Sequence, residues 1–243
     1  MCMAANPHPD DTARSILRII SALVLSFITT SAVNAASFPC DGRLSAQERL
    51  TCADKRLSAL DYRLSALYQM ALEITEAKQN LRIEQRLWLS TKRPKCLNTT
   101  CLLTLSQARI DELTTFIQQH ATPSPPVISG SIHHRATSAG SYCEPGDELD
   151  WFSVSLETHD DLISGSIDGI YNCGQKVWGP IDITGKRLGN VALVQFNASF
   201  SDENAPPSEG IIVVAHKRIY WRILSEVAGE SYVPESEVIS FGQ

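Results

Sequence analysis

The spacing of apolar residues changes once along this chain, and that change limits the fold more than any other feature. From about Ser45 to residue 120 apolar positions recur every three or four residues; from Glu148 onward they recur every second residue. Leu57, Leu60, Leu64, Leu67, Ala71 and Ile74 make one stripe on a helix, widened by Tyr68 and Leu72. A second helical segment runs from about Gln79 to Thr91 and carries Leu81, Leu87, Trp88 and Leu89. Lys92-Arg93-Pro94 is its stop signal, with bases in the last turn and a proline just beyond. A third helix follows Cys101 on Leu102, Leu105, Arg109, Ile110, Leu113 and Ile117. A short opening helix begins near Ser45, where Ser45 and Glu48 have the hydroxyl-to-carboxylate spacing of a capping box.

Residues 121–141, ATPSPPVISGSIHHRATSAGS, have the Pro, Ser and Gly content of a linker. Beyond them Phe152, Val154 and Leu156 alternate with Trp151, Ser153 and Ser155, the period of a half-buried strand. Further strands are expected over 162–171, 176–184, 190–196, 210–215, 219–224 and 236–241, with turn signals between most of them. About seven short strands in roughly 100 residues predict an antiparallel sandwich or barrel. The expected fold is therefore α+β in two domains. A small helical bundle would fill 36–120, a linker 121–141 and an all-β domain 142–243.

The first 35 residues read as a secretory signal peptide. Arg14 and Arg18 are followed by a charge-free run, 19–30, and then by small residues at Val33 and Ala35. Cleavage is expected between Ala35 and Ala36. The apolar run is 12 residues long, too short for the roughly 20 that span a bilayer. Ser37-Phe38-Pro39-Cys40 is not the small-apolar context of a lipid-attachment cysteine, so no membrane anchor is expected after cleavage. Removing 35 of 243 residues takes two acids (Asp10, Asp11) and two bases (Arg14, Arg18), which leaves the net charge at −6. An acidic balance argues against nucleic acid and anionic membrane as partners.

Cys2 leaves with the signal, and Cys40, Cys52, Cys96, Cys101, Cys143 and Cys173 remain. Six cysteines in an exported chain read as three disulfides, with 15 possible connectivities. Nearest-neighbour pairing, Cys40–Cys52, Cys96–Cys101 and Cys143–Cys173, is the simplest. No C-x-x-C is present, so zinc-ribbon and thioredoxin-type chemistry lack support. A helical bundle of about 80 residues is near the size at which a core alone is marginal, so staples make physical sense.

The helical half also carries an ordered pattern. It begins with Phe38, Cys40, Glu48, Cys52, Leu60 and Asp61, continues with Gln85, Trp88, Leu89, Cys96 and Cys101, and ends with Arg109, Ile110 and Leu113. In this it resembles the LprI-type lysozyme inhibitor N-terminal domain, over about 80 residues. The resemblance implies a periplasmic or secreted helical domain whose partner is a protein, lysozyme or another cell-wall hydrolase. Glu48, Asp61, Gln85, Trp88 and Arg109 are the polar and aromatic members of the pattern. A structural role fits them better than a recognition surface, because Arg109 lies on the apolar stripe of its own helix and a buried arginine needs a carboxylate. Asp61 is the expected partner, with Trp88 in the core and Gln85 at a helix end.

The β half has no catalytic signature. His133-His134 lies in the linker and His159 beside Asp160-Asp161 in an expected turn, with no third converging metal ligand. G-x-S-x-G and phosphate-binding glycine loops are absent. No cofactor and no enzymatic activity are expected. Ser164, Gly165, Ser166, Asp168 and Tyr171 in SGSIDGIY resemble the Ser-Gly-rich loops that other lysozyme inhibitors insert into the enzyme's cleft, although the alternation fits an ordinary strand equally well. The functional expectation is an exported binding protein that occludes a lysozyme cleft. The alternative is an immunity or envelope-interaction protein against another cell-wall enzyme or toxin. Nothing in the sequence sets the oligomeric state.

Overall fold

The computed structural model describes residues 36–121, 150–171, 173–197, 204, 206–225 and 232–240, together with the backbone of 132–137. The expected signal peptide with Ala35, most of the expected linker, and Cys143 lie outside the described residues. The described residues belong to one compact unit.

The helices begin where the sequence supplies a cap. Helix α1 (Ala46–Ala53) starts at Ser45. Its hydroxyl accepts from the Glu48 N–H at 3.2 Å, and its own N–H donates to Glu48 Oε2 at 2.7 Å, which closes the capping box. Asp54 ends α1 and caps α2 (Lys55–Ile74) by accepting from the Arg56 and Leu57 N–H groups. Helix α3 (Lys78–Leu87) runs into a π-helical turn, Trp88–Lys92, and a 3₁₀ turn, Arg93–Lys95, and Pro94 stops it. Helix α4 (Thr99–His120) starts at Asn98, whose side-chain oxygen accepts from the Cys101 N–H at 2.9 Å. The expected stripes are the buried ones: Leu57, Leu64, Leu67, Ala71 and Ile74 on α2, and Leu102, Ile110, Leu113 and Ile117 on α4.

Among the described residues eight strands follow: β1 (Ile132–Thr137), β2 (Trp151–His159), β3 (Leu162–Tyr171), β4 (Lys176–Leu188), β5 (Val191–Phe196), β6 (Ser208–Ala215), β7 (Arg218–Ile223) and β8 (Ser236–Ser240). Each pairs antiparallel with its neighbour in sequence, so they form one curled up-and-down sheet and not the two facing sheets of a sandwich. Strand β1 occupies part of the segment expected as linker, and its backbone pairs with β2 from Ile132↔Leu156 to Thr137↔Trp151. His133 and His134 therefore stand in a strand. Curling brings strands β1 and β8, the two ends of the meander, near each other. Two glycines let the strands bend. A Cβ on Gly165 would lie 1.9 Å from the Ser155 carbonyl oxygen, and one on Gly185 would lie 2.0 Å from that of Leu193.

The sheet is covered on its inner face and, at β5 to β7, on its outer face as well. Its inner face buries Phe152, Trp178, Phe196 and Trp221, with ring centroids 5.5–6.1 Å apart along the chain of contacts. Its outer face, at Val191, Ile211, Val213, Ala215 and Tyr220, shares a second core with Leu64, Leu67, Met70, Ala71 and Ile74 of α2 and with Ile110, Leu113 and Ile117 of α4. Strand β6 is thus buried on both sides, which is why it reads as the continuous apolar run Ile211-Ile212-Val213-Val214. The two halves of the chain, expected as separate domains, share this core.

Polar contacts sew the same seam. Arg63 pairs with Glu209 and Arg222 with Glu73, each between α2 and the sheet. Asn190 is buried and donates to the Ala121 carbonyl at 2.8 Å, beyond the end of α4. His216 and Lys217 turn the β6–β7 hairpin at φ 51° and 60°, the left-handed values a tight hairpin requires. That turn carries His216 Nε2 to donate to the Ile74 carbonyl at 2.8 Å, which satisfies an open carbonyl at the C-terminus of α2.

A shared core predicts one cooperative transition. Helical circular dichroism and tryptophan fluorescence should report the same melting midpoint, and Ile211→Ala should lower both together, at a cost of about 2–4 kcal/mol. Two separate midpoints would show that the halves unfold independently.

Candidate functional site

The helical half is organised around the corner between α3 and α4. Two disulfides hold its frame: Cys40–Cys52 pins the N-terminal segment to α1, and Cys96–Cys101 closes the corner onto the first turn of α4. In the chain-entropy model a loop of the Cys40–Cys52 size is worth roughly 3 kcal/mol. Cys173 is also disulfide-bonded, and its expected partner Cys143 lies outside the described residues.

Asp61 does not pair with Arg109. One of its oxygens takes Arg93 Nη2 at 3.1 Å, and the other accepts from the Ser37 N–H at 3.1 Å and hydroxyl at 2.6 Å. Arg93 Nη2 also reaches Thr51 Oγ1 of α1 at 3.3 Å. From α1, Gln47 Nε2 donates to the carbonyls of Pro94 and Cys96 at 3.2 and 3.1 Å. Asp61 thus ties the residues after the expected cleavage point, where Ala36 is itself buried, to the back of the corner.

Arg109 is 8% exposed and has different partners. Its Nε donates to Gln85 Oε1 at 3.0 Å and its Nη1 to Glu112 Oε2 at 2.8 Å, while Nη2 is buried without a partner. Gln85 therefore joins α3 to α4 and does not cap a helix end. The carboxylate comes from one turn along α4, a spacing that was open to a sequence reading. Trp88 is buried at the start of the π turn. Asp61, Gln85, Trp88 and Arg109 of the pattern accordingly build the corner from behind, whereas Leu89 of the same pattern is exposed.

The segment that forms the corner is largely exposed, and its own charges are all positive. Between Glu84 and Asp111 the chain has no acid and five bases: Arg86, Lys92, Arg93, Lys95 and Arg109. Arg93 and Arg109 are held in the bonds just described. Arg86, Lys92 and Lys95 are exposed and make no ion pair or hydrogen bond among the described residues. Beside them Leu87, Leu89 and Leu97 are 59%, 41% and 83% exposed. Lys92 and Lys95 border a groove of about 790 Å³ floored by the Cys96–Cys101 bridge, Leu105 and Ala108. Lys92, Lys95 and Leu97 are not in the family pattern. Their signal was the long run without acids in an otherwise acidic chain.

Ser164, Gly165, Ser166, Asp168 and Tyr171 lie in β3, an inner strand bonded to β2 on one side and β4 on the other, and do not form a loop. Gly165 is required for the close approach to β2, and Tyr171 hydrogen-bonds Glu237 of β8. The outer face here is acidic, with Glu157, Asp168 and Asp182 on adjacent strands. Among the described residues no cluster of His, Cys, Asp or Glu could hold a metal ion, and no helix is long and apolar enough to cross a membrane.

Two predictions follow from the corner's wiring. A double-mutant cycle of Asp61→Asn with Arg93→Met should give a coupling of about 1 kcal/mol, whereas Asp61→Asn with Arg109→Met should be additive within about 0.5 kcal/mol. Coupling in the second cycle alone would overturn the assignment. At the capping box, the Ser45 N–H, then its hydroxyl, and more weakly the Arg93 charge hold the Glu48 carboxyl below the usual carboxylate range. A lowered carboxyl stabilises the fold above its unfolded value and loses that contribution as pH falls through its folded value. Wild type should therefore exceed Glu48→Gln in stability at neutral pH by about 0.5 kcal/mol. The gap should close as acid protonates Glu48, and a gap unchanged at pH 2 would refute the linkage.

No curated protein and no solved structure matches the chain. Residues 40–113, in the N-terminal part of the chain and spanning α1 to α3, the corner and most of α4, match the family model described as Lysozyme inhibitor LprI.

Proposed function

We propose that the protein is an exported lysozyme inhibitor that binds the enzyme and occludes its cleft. The observation that carries this reading is the match of residues 40–113 to a family of inhibitors, not of enzymes. Export is supported by the two disulfides of the helical frame, because such bridges persist in oxidising compartments. The signal-like segment at 1–35 supports it independently. An occluding inhibitor needs a stable surface, and the shared core and stapled corner supply one.

The test is titration of the purified protein against c-type, g-type and bacterial lysozymes, following lysis of cell-wall suspensions. Inhibition at a near-stoichiometric ratio of at least one of them is expected, and no effect on any at micromolar concentrations would remove the reading. The net charge of −6 should speed encounter with a basic lysozyme. Association with such an enzyme should therefore slow as the Debye length falls from about 30 Å at 0.01 M salt to about 8 Å at 0.15 M.

A further inference from the structure

We propose that the corner between α3 and α4 is the surface that enters the lysozyme cleft, with Lys92 and Lys95 facing its carboxylates and Leu89 and Leu97 packing on its walls. This rests on the inhibitor reading and adds to it the contact surface. A glycosidase cleft holds two carboxylates around the bond it cuts. A complement to it has to be locally basic even on an acidic protein. Residues 85–110 have that character: no acid, with Arg86, Lys92 and Lys95 exposed and unpaired among the described residues. The outer face around β3 has the opposite net sign, with Glu157 of β2, Asp168 of β3 and Asp182 of β4 against Lys186 of β4, and would repel the cleft.

Apolar exposure points to the same place. Four of the nine exposed large apolar residues among the described residues, Ile83, Leu87, Leu89 and Leu97, fall within residues 83–97, and Leu97 is the most exposed of these nine. From Leu89 to Lys95 every residue but Arg93 is exposed, as at a corner and unlike a packed face. Exposed leucines beside unpaired lysines match the anatomy of an interface, with apolar anchors and polar neighbours. The corner is also fixed before binding. Cys96–Cys101, the Gln47 bonds and the Arg93–Asp61 pair hold it, so little ordering cost falls on association. The overall acidity draws a basic enzyme in, and the local basicity then selects its cleft.

The experiment uses the full mature chain and a lysozyme that the wild type inhibits. K92E/K95E should weaken inhibition about a hundredfold, and L97D at least tenfold. Neither should change the melting midpoint, because all three side chains are exposed. S164E, on the outer face of β3, should leave inhibition unchanged. Binding to a lysozyme whose two catalytic carboxylates are replaced by amides should be weaker for wild type and much less affected by K92E/K95E. Full inhibition by K92E/K95E and L97D would overturn the assignment of the corner while leaving the inhibitor reading intact. A wild type that inhibits no lysozyme would overturn both.

Discussion

Burial of β6 on both faces is the constraint on which the rest of the molecule depends. Ile212 and Val214 point into the curled sheet, while Ile211 and Val213 point out toward the helices. A strand with two apolar faces cannot remain at a solvent boundary, because each face costs about 25 cal/mol per Å² if left wet. The inner face is covered when the sheet curls around Phe152, Trp178, Phe196 and Trp221, and the outer face when α2 and α4 lie across it. Gly210 belongs to the same arrangement, since a Cβ there would meet the Trp221 ring at 2.7 Å. The ion pairs and the His216 contact then fix where along the strand the helices rest.

The same placement decides how the corner between α3 and α4 is held. The helix pair is anchored through α2 and the far part of α4, and the Cys96–Cys101 end stands apart from that shared core in a small cluster of Leu57, Cys96 and Leu102. With little core of its own, this end relies on directed bonds: the bridge, the Gln47 amide and the Asp61 carboxylate. Such bonds come from behind and leave the front free to carry lysines and leucines. Half-buried polar groups of this kind lose stability when one partner is removed, so the corner depends on the set together.

Local signals made much of the fold legible in the sequence. The helical stripes, the Ser45 capping box and the Pro94 stop act within a turn or two, and each appears where the residues indicate. The inner-face strand residues Phe152, Val154 and Leu156 followed from alternation alone. What failed required knowledge of distant neighbours. Strand β1 lies in a Ser- and Gly-rich segment with weak propensity, and it exists because β2 offers it an edge. The run Ile211 to Val214 holds the information that a second layer covers the sheet, yet a continuous apolar strand does not say what covers it. Asp61 went to Arg93 because α1 brings Thr51 and Gln47 to that corner, and no spacing along the chain encodes that meeting. The serines and glycine of β3 look like an inserting loop in sequence; in the sheet Gly165 answers a steric demand from β2.

The family match ends at residue 113, but the core does not. Ile117 and Ala121 of the same helical run sit with Val213 and Tyr220 of the sheet in one cluster. The stretch recognisable as a lineage is therefore shorter than the stretch that folds. Leu67, Met70 and Ile74 face β6 and β7 here, and a relative that carried the helices without this sheet would have to hide or replace those side chains. It could do so with another chain, a second copy of itself or polar substitutions. In this chain the sheet is what hides those side chains.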